Sequence, residues 1–407
     1  MQSEPATTSV AFAAQPVRSK GERFHQLDGL RALAASLVIL HHMLTASLGI
    51  SLAAKGYHFA ANAIATTTAS GVELFFVLSG ALLLRPYLRG NRPMKPAKYL
   101  MGRVRRLWPP YLAAWVLAGV VILATTRFPT WWTSGADLPA FHWSNWVAQL
   151  GIVYVGDHPY SFAWWSLSVE VLFYLLVPLI ISLLIRANLS RTQMAAALLG
   201  AIVLAVLATN MRSGVIPATL WPLVRFCTYV SCFTAGVILA RFDCPDQWAW
   251  RALSVGVPYC ILAFRFPRMD VHVGWGLIYF GIVILALNGA TRLKRWLSTW
   301  LLVWIGERSY SLFLIHYSVI TAVCLLVSLF TAQKGARYFL TTRLLELPLT
   351  LMAAMLLFHF VERRFAKNLA TGDYFWPTLV EPQSKTSAIA PAPALLLAEE
   401  SFSVVTP

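Results

Sequence analysis

Charge is scarce in this chain. Only 12% of its 407 residues are charged, against about 25% in an average soluble domain. Acidic residues are scarcer still, 17 against 33 basic ones. Such a composition excludes an ordinary soluble enzyme. Cysteine is rare too. The five, Cys227, Cys232, Cys244, Cys260 and Cys324, are odd in number and lack paired metal spacing, so they read as small buried residues rather than a disulfide framework or a metal site. No Gly-rich phosphate loop, GxSxG elbow, HExxH or paired CxxC occurs. Nor is there an internal repeat of the kind that marks many transporters.

Apolar length is what the chain has instead. It is 58% apolar with 16 tryptophans, and its mean hydropathy is +0.62. A hydrocarbon core needs roughly 20 apolar residues as a helix. Ten segments qualify as candidates: 30–49, 71–88, 108–126, 163–185, 194–210, 222–241, 252–266, 272–290, 309–330 and 343–361, the seventh being short. The expected fold is an all-α polytopic membrane protein of about ten transmembrane helices. Residues 1–26 read as a disordered N-terminal segment without the pattern of a secretory signal. Residues 27–367 form the membrane domain, and 368–407 a disordered Pro/Ser/Ala-rich tail.

The net charge of +16 does not point to nucleic acid, because of where it lies. Eight basic residues fall within 85–106, and further Arg and Lys flank the segments ending near 186, 241, 291 and 361. With the first helix running outward these loops are all cytoplasmic, as the positive-inside rule requires, and so are both termini. The longest outer loop, 127–162, is rich in Trp, Pro and His and is expected at the membrane interface.

Ionisable residues inside a membrane are costly and suggest function. In "LDGLRALAASLVILHHM" (27–43), Arg31 and His42 are eleven positions apart. At about 100° and 1.5 Å per residue they share one helix stripe, roughly 16 Å apart along the axis. His41 points elsewhere and reads as a packing residue. In "WSLSVEVLFYLLVPL" (165–179), Glu170 lies inside a helix entered from the outer surface, at a depth that suits pairing with His42. In "GVELFFVLSG" (71–80), Glu73 precedes the small pair Ser79 and Gly80, which also suits plain helix packing. In "RVRRLWPPYL" (103–112), Arg103 and Arg106 are i,i+3 neighbours, and two guanidiniums on one face suit a phosphorylated ligand. Topogenic charge and structural hydrogen bonds are the competing readings of these groups. A transporter using Arg31, His42 and Glu170 as a proton relay is the rival function.

Taken together, these residues resemble the acyltransferase-3 family of integral membrane acyltransferases. The resemblance rests on Arg31, ten residues, then His42; on Arg103-x-x-Arg106 before the prolines; and on "FFVLSG" (75–80), "WSLSVEVLFY" (165–174), "IGERSYSLFLIH" (305–316) and "VERRF" (361–365) in the expected order. It covers 27–367, with His41 and the missing proline of "VERRF" as departures. It implies a bacterial cytoplasmic-membrane O-acyltransferase. No cofactor is bound permanently. Acyl-CoA, usually acetyl-CoA, is the donor, and a hydroxyl of a carbohydrate or glycolipid is the acceptor. Catalysis would rest on His42 and Glu170, donor binding on Arg31, Arg103 and Arg106, and substrate contact on Glu73, Ser79 and Trp165. Relatives can carry a fused extracytoplasmic domain; with none expected after 367, a separate extracytoplasmic transferase is an expected partner. Metal and nucleic acid are not expected.

Overall fold

The computed structural model describes residues 24–366 apart from 45–51, 53, 90–92, 137, 154–157, 212–215, 267–268, 289–291 and 333–334. The expected tail, 368–407, and residues 1–23 of the N-terminal segment lie outside the described residues. Among the described residues the chain is helical without strands. In order come α1 (His25–Leu44), α2 (His58–Ala69), α3 (Gly71–Leu88), α4 (Pro96–Arg127), α5 (Trp165–Ala187), α6 (Arg191–Thr209), α7 (Trp221–Arg241), α8 (Asp246–Arg265), α9 (Val271–Asn288), α10 (Trp300–Glu307), α11 (Ser309–Leu329) and α12 (Ala336–Leu357). Nine spans among the described residues are long and apolar enough to cross a membrane. The protein is therefore an all-α polytopic membrane protein.

Every one of the ten expected segments contains a helix. The seventh, α8, has 20 residues but falls outside the nine spans; Asp246, Arg251 and Arg265 lower its hydropathy. The second expected helix gains a preceding partner, since α2 and α3 run on as one apolar span over 58–88. Large apolar side chains point outward along these helices, among them Leu175, Leu179 and Leu183 on α5, as lipid-facing surfaces do. The long loop over 127–162 forms two short helices among its described residues, Trp131–Gly135 and Trp143–Ala148. The Trp115 and Trp146 indoles stack at 4.0 Å, and each donates its N–H to the other's carbonyl. Four cysteines are buried, Cys227 is half-buried, and all five are free.

The centre of the assembly is α1, which packs against α3, α10 and α11. Its grip is backbone on backbone. A Cβ at Gly306 would lie 1.9 Å from the Asp28 carbonyl oxygen, and one at Gly71 would lie 2.3 Å from that of Ala34. At its far end the α1 backbone is tied by Arg343, which donates to the Met43 carbonyl and pairs with Glu346 at 2.6 Å. Elsewhere, Arg89 at the end of α3 pairs with Asp243, and that hydrogen bond holds the Asp243 carboxyl below the usual range.

Three substitutions have distinct outcomes for thermal unfolding in detergent. Gly306→Ala forces α10 off α1 and should cost about 1–3 kcal/mol, the range for overpacking, read as a lower melting temperature. Gly200→Ala on α6, with open space around it, should be neutral or slightly stabilising. Arg343→Gln strands the wholly buried Glu346 side chain, for a loss of about 3–5 kcal/mol. Adding Glu346→Leu should restore most of it.

Candidate active site

Two cavities adjoin along α1. The first, about 80 Å³, is lined by Arg31, Ser79, Arg103, Arg106, Glu170 and Tyr174 among apolar residues. The second, about 310 Å³, is lined by His41, His42, Glu73, Trp165, Arg225, Tyr229 and His272. Val72 and Phe313 line both. Arg31 opens α1 and His42 lies near its end, so the helix carries one functional group into each cavity.

The arginine cavity is built by five helices, α1, α3, α4, α5 and α11. Arg31 donates to the Ser309 hydroxyl at 3.0 Å, across α1 and α11. Arg103 and Arg106, one turn apart on α4, enter together as their i,i+3 spacing requires. The Arg103 guanidinium lies 5.3 Å from the Tyr99 ring and 5.7 Å from that of Tyr174. Its Nε and Nη1 have no hydrogen-bond partner among the described residues. Glu170 on α5 accepts hydrogen bonds from Ser79, at 3.1 Å, and from Tyr174. Close by, Ser311 donates to the buried Glu362 carboxylate at 2.6 Å, which sits in a short π-helical turn, Phe358–Glu362. Three guanidiniums thus outnumber the carboxylate that lines the cavity with them.

The histidine cavity is different in character. The His42 ring contacts His316 at 5.1 Å and Tyr317 at 5.3 Å between centroids. His41 turns away to the Ala65 carbonyl and the Thr68 hydroxyl, each 3.1 Å from Nδ1. Across the cavity His272 Nδ1 lies 2.5 Å from a Glu73 carboxylate oxygen. Trp165 packs 5.3 Å from the Tyr229 ring, with the Arg225 guanidinium 5.5 Å from the indole. Just ahead of α9, burial holds the Asp270 carboxyl above the usual range.

The structure therefore brings Arg31, Arg103, Arg106, Ser79 and Glu170 together, and separately His42, Glu73 and Trp165. It does not bring Glu170 to His42. The pairing inferred from depth fails because α5 does not begin at the surface. Ser161 and Trp164 are fully buried and Tyr160 nearly so, so the helix starts level with the histidine cavity. Five further residues, roughly 8 Å, carry Glu170 down to the arginines. Sequence reasoning missed His272, His316, Tyr174 and Arg225. The rule that marked His42, an ionisable side chain in an apolar run, applies equally to the two histidines.

The comparisons agree with this architecture. A family model described as an acyltransferase domain matches residues 24–365. The chain is 26% identical over 383 residues to the peptidoglycan O-acetyltransferase OatA of Listeria monocytogenes, covering 84% of this chain and 56% of the relative. It is 26% identical over 374 residues to the O-acetyltransferase OatA of Staphylococcus aureus, covering 84% and 57%. Against a putative O-acetyltransferase of Staphylococcus aureus it is 23% identical over 396 residues, with 84% and 57% covered. The chain thus spans a little over half the length of these relatives. No solved structure matches it significantly. By the extent of the family match, over a chain whose motifs fall in the helices that line the two cavities, the protein belongs to the acyltransferase-3 family.

Proposed function

We propose that the chain is an O-acyltransferase of the bacterial cytoplasmic membrane. It moves an acyl group, acetyl by the names of its relatives, from cytoplasmic acyl-CoA to a hydroxyl of a carbohydrate or glycoconjugate acceptor. One observation carries this reading: a cavity of three guanidiniums adjoins a cavity of imidazoles, and α1 joins them. Arg31, Arg103 and Arg106 suit the phosphates of CoA, since guanidinium binds phosphate oxygens in a fork. Arg89, Lys95, Lys98 and Arg105 lie at the same end, which the positive-inside rule assigns to the cytoplasm, where CoA is found. The roughly 16 Å along α1 between Arg31 and His42 is a span that a pantetheine arm covers.

The acyl carbon then stands beside His42. Transfer joins the acceptor oxygen to that carbon, breaks the carbon–sulfur bond and releases CoA. His42 serves as general base on the hydroxyl or as transient carrier of the acyl group. Glu170, hydrogen-bonded to Ser79 and Tyr174, acts at the donor end by balancing and orienting the guanidiniums. Glu73 and Trp165 lie on the acceptor side.

His42→Ala should lower acyl transfer in isolated membranes by about 10²–10⁴-fold, the usual worth of a positioned acid–base group, at unchanged protein abundance. Near-normal transfer would sink the assignment. Arg103→Gln should raise the KM for acetyl-CoA by about 10–100-fold, as the loss of a charge-assisted bond worth 1.5–3 kcal/mol implies. An unchanged KM would remove Arg103 from the donor site.

A further inference from the structure

The cavity lined by His41 and His42 holds a third imidazole in a more demanding setting. His272 is the second residue of α9. Its Nδ1 is 2.5 Å from Glu73 Oε1, and its Nε2 is 3.3 Å from the Tyr229 hydroxyl. Its backbone N–H donates to Asp270 at 3.0 Å. The Glu73 side chain is 3% exposed and that of His272 is 28%, so the carboxylate is sealed behind a ring that opens on the cavity. A carboxylate at one ring nitrogen fixes the tautomer with its hydrogen there and leaves the other nitrogen as acceptor. The Tyr229 contact is long for an O–H···N bond, so an incoming hydroxyl can compete for the same lone pair. His42 has no such support. Its contacts among the described residues are rings, those of His41, His316 and Tyr317.

We propose that His272, oriented by Glu73, is the base that takes the proton of the acceptor hydroxyl. This rests on the acyltransferase reading and deepens it: of the two roles open to His42 it leaves the one at the acyl group, and gives the hydroxyl proton to His272 on the acceptor side. As the hydroxyl proton passes to His272 Nε2, the acceptor oxygen bonds the acyl carbon. Collapse of the tetrahedral intermediate breaks the carbon–sulfur bond of the thioester, or the carbon–nitrogen bond where His42 holds the acyl group. The leaving thiolate takes up a proton to give CoA, and His272 returns its own to water. Glu73 is a positioning residue that acts through the ring.

The test uses the full chain in membranes of its own organism after deletion of the chromosomal gene, so that the natural acceptor is present whatever its identity. Radiolabelled acetyl-CoA is supplied, and base-labile label in glycans and extracts is followed. Purified protein is tested in parallel for thermal stabilisation by CoA. His272→Gln should lower the transfer rate by about 10²–10⁴-fold, with the KM for acetyl-CoA and the stabilisation by CoA unchanged. Glu73→Gln should lose about 10–100-fold, as loss of an imidazole's orienting partner does in metal sites, and Glu73→Asp should recover part of that. Wild-type rates in His272→Gln overturn the proposal. So does loss of CoA stabilisation in step with transfer, which would mark a purely structural pair. Wild-type chain that moves no label refutes the acyltransferase reading itself.

Discussion

The fold depends on glycine contacts that let neighbouring helices touch the backbone of α1. Lipid gives helices no hydrophobic reason to associate, so close packing carries much of the attraction. Gly306 meets the Asp28 carbonyl and Gly71 meets that of Ala34, with no side chain between to adjust. The grip brackets Arg31, and Arg343 ties the backbone just beyond His42. The two groups therefore land where neighbouring helices have partners for them. A single helix, α11, supplies both seats: Ser309 for Arg31 and His316 with Tyr317 for His42.

That rigidity makes a costly arrangement of charge tolerable. Ionised side chains in an apolar interior need partners, and Glu170 is the one carboxylate among the residues that line the arginine cavity. Glu170 and Glu362 are engaged with hydroxyls, while Arg103 keeps donors with no hydrogen-bond partner among the described residues. A polyanionic ligand would bring acceptor oxygens to those Arg103 donors. On the acyltransferase reading proposed above, this is the end of the site that suits a phosphate-bearing donor.

Much of this was legible in sequence, wherever one helix carries the information. Arg31 with His42, and Arg103 with Arg106, follow from 3.6-residue periodicity alone. Ten apolar stretches sufficed to mark ten helices. What failed was depth and partnership. Glu170 was assigned a level from an assumed helix start at the surface, yet buried residues ahead of α5 sink that start into the protein. His272 finds its carboxylate 199 residues away, a distance over which no spacing rule operates. The charges of α8 make it read as a short segment, 252–266, for the same kind of reason: its hydropathy reports composition, while its neighbour α9 decides its place.

The "FFVLSG" stretch shows how sequence and site meet. Val72, Phe75, Phe76, Ser79, Leu82 and Leu83 of α3 all line the arginine cavity, at the three- and four-residue steps of one helix face. That face is an apolar wall with a single hydroxyl, and the hydroxyl is the one that meets Glu170. Glu73 stands about 100° round the helix from Val72 and faces the histidine cavity instead. One helix therefore serves both cavities with different chemistry, an apolar face with one hydroxyl toward the arginines and a carboxylate toward the imidazoles. Val72 and Phe313 line both cavities, so the boundary between guanidiniums and imidazoles is apolar, and Glu73, off the α3 stripe, is held on the imidazole side.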